Sequence, residues 1–117
     1  LHRDVRDVQL AKGAVAGGFY TLLDHAGINA TDIEHLYLAG GFGSYVKRES
    51  AGEIGLIPKE LVDVTCVAGN AAGRGALYTL FSRERSTQYK RIVGNSKYIE
   101  LSTSPVFQKY FMREMYF

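Results

Sequence analysis

Two short apolar runs, each ending in glycine and each followed by a helix-like segment, constrain this chain most. The first is LYLAGGFGSY, Leu36 to Tyr45, where Leu36 and Leu38 alternate as strand residues do before Gly40, Gly41 and Gly43 crowd together. The second is VDVTCVAG, Val62 to Gly69, a β-branched run that leads into AGNAAGRGA. Between them KRESAGEIG reads as a short helix stopped by Gly55 and Pro58. Strands alternating with helices predict an α/β fold, with a mostly parallel sheet and helices on both faces. The strands at Leu36–Ala39 and Val64–Ala68 are then parallel neighbours, with a long helix packed across them.

That long helix is read from Val5, Val8, Ala11, Val15, Phe19 and Leu22, whose three- and four-residue steps make an apolar stripe ending near Gly27. Thr31 and Glu34 have the spacing of a capping box. Asn70 stands where a helix N-cap would, ahead of an apolar face formed by Ala72, Ala76, Leu77 and Leu80. KYIELST, from Lys97, looks like an edge strand, and PVFQKYFMREMYF like a closing helix. The 117 residues, 46% hydrophobic and 22% charged, suit one globular domain spanning 1–117. The chain opens on Leu1 in the approach to a helix, so it is expected to be a piece of something longer.

Composition removes several function classes. A lone cysteine, Cys66, has no disulfide partner and no companions for a metal site, so it reads as a core side chain in a reducing cytoplasm. No apolar run approaches the roughly 20 residues of a membrane span, and LHRDVRDVQL has no signal-peptide pattern. Neither a membrane nor a nucleic acid is expected as partner: the formal charge is only +2, and the basic run RERSTQYKR, Arg83 to Arg91, reads as a solvated helix face. His2, His25 and His35 follow no metal or triad spacing, and Glu49 and Glu53 sit beside Lys47 and Arg48 as surface charge.

The glycines remain. Open parallel sheets bind ligands at the carboxyl ends of their strands, and both glycine patches fall at such ends. Glycine there permits positive φ and lets a flat or anionic ligand approach the main chain. The AGNAAGRGA patch adds the electropositive start of a helix. Tight turns and close helix packing explain either patch alone equally well. The spacing is not that of the dinucleotide fingerprint, and there is no Gly-Lys-Ser/Thr phosphate loop.

LYLAGGFGS resembles the adenosine motif of the actin, sugar kinase and Hsp70 superfamily, and GNAAGRGAL resembles the helix that follows it. More narrowly, RDVQLAKGAVAGG, LAGGFGSYV, AGEIGLIPKEL, GNAAGRGAL, YIELS and the terminal YFMREMYF fall in the order found at the carboxyl end of the ATP-dependent reductive activators of corrinoid proteins. The resemblance covers nearly the whole chain. It implies a partial actin-like (ribonuclease H-like) ATPase lobe from a protein that joins a ferredoxin domain to an ATPase. Such a protein drives an electron onto inactive cobalt(II) corrinoid, giving cobalt(I) able to accept a methyl group. The implied cofactors are ATP with Mg and, in an N-terminal part, an iron–sulfur cluster; one cysteine cannot supply the four thiolates such a cluster takes. The implied partners are a corrinoid protein of a methyltransferase system, the remainder of the ATPase domain and a second copy in a homodimer.

Carried onto this sequence, the resemblance assigns Gly40, Gly41 and Gly43 to the adenosine loop, with Phe42 stacking on adenine or plugging the crevice and Ser44 beside it. Lys12 and Gln9 border the adenine from the first helix, and Asn70 and Ala71 lie next to the loop, Asn70 chiefly as a helix cap. No catalytic residue is assigned, and the chain alone is not expected to turn over ATP. Two other readings stay open: a fragment of another actin-like phosphotransferase or iron–sulfur activator, and a noncatalytic interaction module.

Overall fold

The structure, a computed structural model, describes every residue from Leu1 to Phe117. The elements run α1 (His2–Ala26), a 3₁₀ turn (Ala30–Asp32), β1 (Leu36–Ala39), α2 (Gly40–Tyr45), α3 (Arg48–Ile54), a longer 3₁₀ turn (Lys59–Val64), β2 (Thr65–Gly69), α4 (Ala71–Phe81), α5 (Arg83–Asn95) and α6 (Pro105–Glu114). The α/β class holds: β1 and β2 are parallel neighbours in a two-stranded sheet. The chain contains two compact units. Unit 1 comprises Leu1–Tyr37, Val46–Cys66 and Glu100–Phe117; unit 2 comprises Leu38–Tyr45 and Val67–Ile99.

Unit 1 holds the core. Ala16, Leu23, Ala51, Leu56, Ile57 and Leu61 are its buried apolar residues. Helix α1 ends at Gly27 as the sequence predicts, with φ 68° at its C-cap. Its buried face differs from the predicted stripe: Val5, Val8, Val15 and Leu22 are exposed, whereas Lys12, Gly13, Ala16, Gly17 and Thr21 are buried. The main partner of α1 is α6, not the strand pair. Close approach explains the choice of face. A Cβ on Gly17 would lie 2.9 Å from the amide nitrogen of Phe111, and one on Gly13 would lie 3.0 Å from its carbonyl oxygen. The backbones meet where side chains are smallest, so hydrophobic periodicity misses the contact.

A buried lysine fastens the same interface. Lys12 is 3% exposed, and its Nζ donates to the carbonyls of Glu114 and Tyr116 at the end of α6. The Phe117 ring lies over the ammonium, 5.6 Å to the centroid. Cations favour helix C-termini because the last carbonyls there have no partner within the helix. At the other end of the contact the Tyr110 hydroxyl donates to Asp24 at 2.9 Å, and the Arg113 guanidinium lies over the rings of Tyr110 and Tyr20.

Four further sequence expectations change. Residues 97–103 form no strand, because no third strand pairs with them here. The capping box is built from Asn29 and Asp32 rather than Thr31 and Glu34; the Asn29 amide donates to Asp32 at 2.8 Å. Cys66 is exposed and not a core residue. The 3₁₀ turn Lys59–Val64 takes up the start of the predicted strand, so β2 begins at Thr65 rather than Val64, and the Thr65 hydroxyl donates back to the Leu61 carbonyl at 2.6 Å.

Candidate functional site

The site lies where both strands end. Gly40 follows β1 with φ 85°, and Gly69 ends β2 with φ 62°. Neighbouring parallel strands thus terminate in the left-handed conformation that favours glycine. A Cβ placed on Gly40, Gly41 or Gly69 would meet nothing within 4 Å.

Gly41 is the informative member of this group. Its φ is not positive and it lies in the first turn of α2. Glycine there is required neither by backbone conformation nor by packing, and it costs roughly 1 kcal/mol of helix propensity relative to alanine. Gly43 is different: it is buried, and a Cβ would lie 3.0 Å from the Leu38 carbonyl carbon. It lets α2 fold back tightly on β1.

The remaining predicted residues fall into two groups. Phe42 is 67% exposed, so its ring is free to stack and does not plug a crevice within this chain. The Ser44 hydroxyl donates to the Gly40 carbonyl at 3.1 Å and steadies the turn. Asn70 caps α4: its Oδ1 accepts the Gly73 amide proton at 3.0 Å. Ala71 opens α4 beside it. All of these belong to unit 2, whereas Gln9 and Lys12 belong to unit 1. Gln9 is half-buried on α1. The Lys12 ammonium donates to the carbonyls that close α6.

Sequence reasoning passed over Arg74. Its guanidinium Nη2 donates to the Ala68 carbonyl, placing a cation at the end of β2 next to Gly69. The signal was present in GNAAGRGAL as a single basic residue in the first turn of a helix, where acidic residues are the commoner choice.

Two adjacent strand ends thus present bare backbone, with the exposed Phe42 ring after the first and the Arg74 guanidinium beside the second. All 117 residues match the family described as the C-terminal domain of RACo, the ASKHA domain. The chain belongs to this family. It is 41% identical over 116 residues to the corrinoid activation enzyme RamQ of Eubacterium limosum, covering 97% of this chain and 19% of that protein. It is 26% identical over 118 residues to the [Co(II) methylated amine-specific corrinoid protein] reductase of Methanosarcina barkeri, covering 97% and 21%. Among solved structures, a reductive activator for corrinoid, iron-sulfur protein superposes with a TM-score of 0.86 at 30% identity, over 97% of this chain and 18% of that one. The chain therefore spans about a fifth of the length of its relatives. No helix is long and apolar enough to cross a membrane.

Proposed function

We propose that this chain supplies the adenosine side of the ATP site in a protein that reductively activates a cobalt(II) corrinoid protein. The observation that carries the reading is Gly41, a helical glycine whose missing side chain leaves open space at the end of β1. Gly40 and Gly69 extend that open edge, and main-chain groups there are accessible to a base and ribose. Phe42 offers its ring to the base, and Arg74 a cation beside the cradle. Asn70 acts through α4, holding the helix start in place rather than touching the nucleotide.

ATP supplies the driving free energy when bound; the residues present hold and orient its nucleoside. The phosphates and Mg are held by parts of the protein outside this chain, and phosphoryl transfer depends on positioning and charge stabilisation by those groups. The isolated chain accordingly does not hydrolyse ATP. The iron–sulfur cluster belongs to the same missing parts, since Cys66 alone cannot bind one.

The test uses the full-length protein containing this domain, with a low-potential reductant and the cobalt(II) form of its corrinoid partner. Absorbance should report conversion to cobalt(I) with ATP and little without it. Equal conversion in the absence of nucleotide would refute the ATP-dependent reading, and binding of ATP without any cobalt reduction would favour another actin-like phosphotransferase.

A further inference from the structure

Arg74 stands where helix chemistry disfavours it. It is in the first turn of α4, where the electropositive helix start opposes a cation. It is also the sole charged side chain in residues 38–45 and 67–75, the segments that carry the two strand ends. It forms no ion pair and lies over no ring of the chain. Its Nη2 reaches back and donates to the Ala68 carbonyl. That bond is exposed, so water can satisfy the same carbonyl and the fold gains little from the arginine.

What the bond does is place the guanidinium. The group is planar and donates in its own plane, so bonding to Ala68 leaves its two flat faces open. Arg74 is exposed. The carbonyl that holds it precedes Gly69, and β1, leading to Gly40 and Gly41, is the neighbouring strand, about 4.8 Å away at ordinary sheet spacing. A flat cation is therefore held at the rim of two bare strand ends. Nη2 also takes part in the paired-donor forks with which arginine grips phosphate, so its engagement with Ala68 weakens that edge and spares the faces.

We propose, resting on the nucleotide reading, that Arg74 is a base-stacking residue: its guanidinium lies flat against the purine ring of the bound nucleotide and fixes the base at the end of β2. Bases stack on arginine by combining contact between two planes with attraction of the cation to the π face. Stacking needs a plane, which lysine lacks and a tyrosine ring supplies. A phosphate contact has the opposite requirement, since lysine serves it as a point charge and tyrosine does not.

The test uses the full-length protein, with calorimetry for ATP affinity and a thermal midpoint for the fold. Arg74→Lys should weaken ATP binding about tenfold, whereas Arg74→Tyr should stay within about threefold of wild type. Both should melt within about 2 °C of wild type. A second measurement needs no variant to fold. In isotope-labelled wild type, ATP should move the Arg74 Nε–H proton upfield, because it enters the shielding region above the base, and inorganic tripolyphosphate should not. Affinity kept by Arg74→Lys and lost by Arg74→Tyr would show a phosphate contact and overturn the proposal. So would unchanged affinity in both variants, equal loss in both, or the same Nε–H shift with tripolyphosphate. Wild-type protein that binds no ATP would overturn the nucleotide reading as well, whereas wild type that binds ATP while both variants match it overturns the stacking assignment alone.

Discussion

Replacing Gly17 by valine tests the packing of α1 against α6. The added Cβ would lie 2.9 Å from the Phe111 amide nitrogen and 3.1 Å from its Cα. Comfortable contact begins near 3.4 Å, so α6 must withdraw by up to about 0.5 Å, the difference between 3.4 and 2.9. Because both opposing atoms are backbone, no change of rotamer relieves the clash. Withdrawal would also loosen the contact of Gly13 with Met115, the Lys12 bonds to the end of α6 and the Tyr110–Asp24 hydrogen bond. Overpacking of this kind costs about 1–3 kcal/mol. At about 4 °C per kcal/mol for a chain of this size, the thermal midpoint should fall by about 4–12 °C. Gly75→Val is the control: it has open space around it and gains a few tenths of a kcal/mol in helix propensity. Circular dichroism melts of the two variants and wild type give the comparison. A Gly17→Val midpoint within about 2 °C of wild type, or an equal loss in Gly75→Val, would refute the reasoning.

Lys12→Met should destabilise the fold by about 1–3 kcal/mol, because it leaves the Glu114 and Tyr116 carbonyls without their donor; chemical denaturation measures this, and an unchanged midpoint would contradict it. Burial, followed by the nearby Glu114 and Glu60 carboxylates, pushes the Tyr20 phenol above its ordinary value of 10.0. The hydrogen bond to Asp24 does the same for Tyr110. A phenol raised in the folded state contributes stability that is fully present below about pH 10 and lost as pH rises through the raised values. Absorbance titration should accordingly find two late-ionising tyrosines, and Tyr110→Phe should leave one.

Much of the local structure was legible because it is written in strong local signals. The strand at Leu36–Ala39, the Gly27 and Gly55 stops and the Asn70 cap each depend on one or a few residues with a narrow conformational role. The face of α1 was not legible. Val5, Val8, Val15 and Leu22 have the right period, but Gly13, Ala16 and Gly17 decide the contact by allowing α6 closer than a bulky stripe would. Hydrophobicity counts what a residue gains by burial, not how near it lets a neighbour come. Residues 97–103 misled for a related reason: strand propensity is realised only when a partner edge is present.

At the candidate site the sequence identified the glycines but could not sort them. The structure separates Gly43, needed for the approach to Leu38, and Gly40 and Gly69, needed for positive φ, from Gly41, which neither requirement explains. The bonds of Lys12 to the end of α6 were not legible either, because a lone lysine on a helix gives the same sequence signal whatever it meets.

The central claim is that open space at Gly41 belongs to a nucleotide, and the most direct measurement is ATP affinity of Gly41→Val in the full-length protein alongside its thermal midpoint. A branched side chain there should leave the midpoint within about 2 °C of wild type, since nothing in the chain opposes it. Affinity for ATP should fall at least about tenfold, because the valine occupies the volume of the base or ribose. A folded Gly41→Val protein that binds ATP as tightly as wild type would contradict the account.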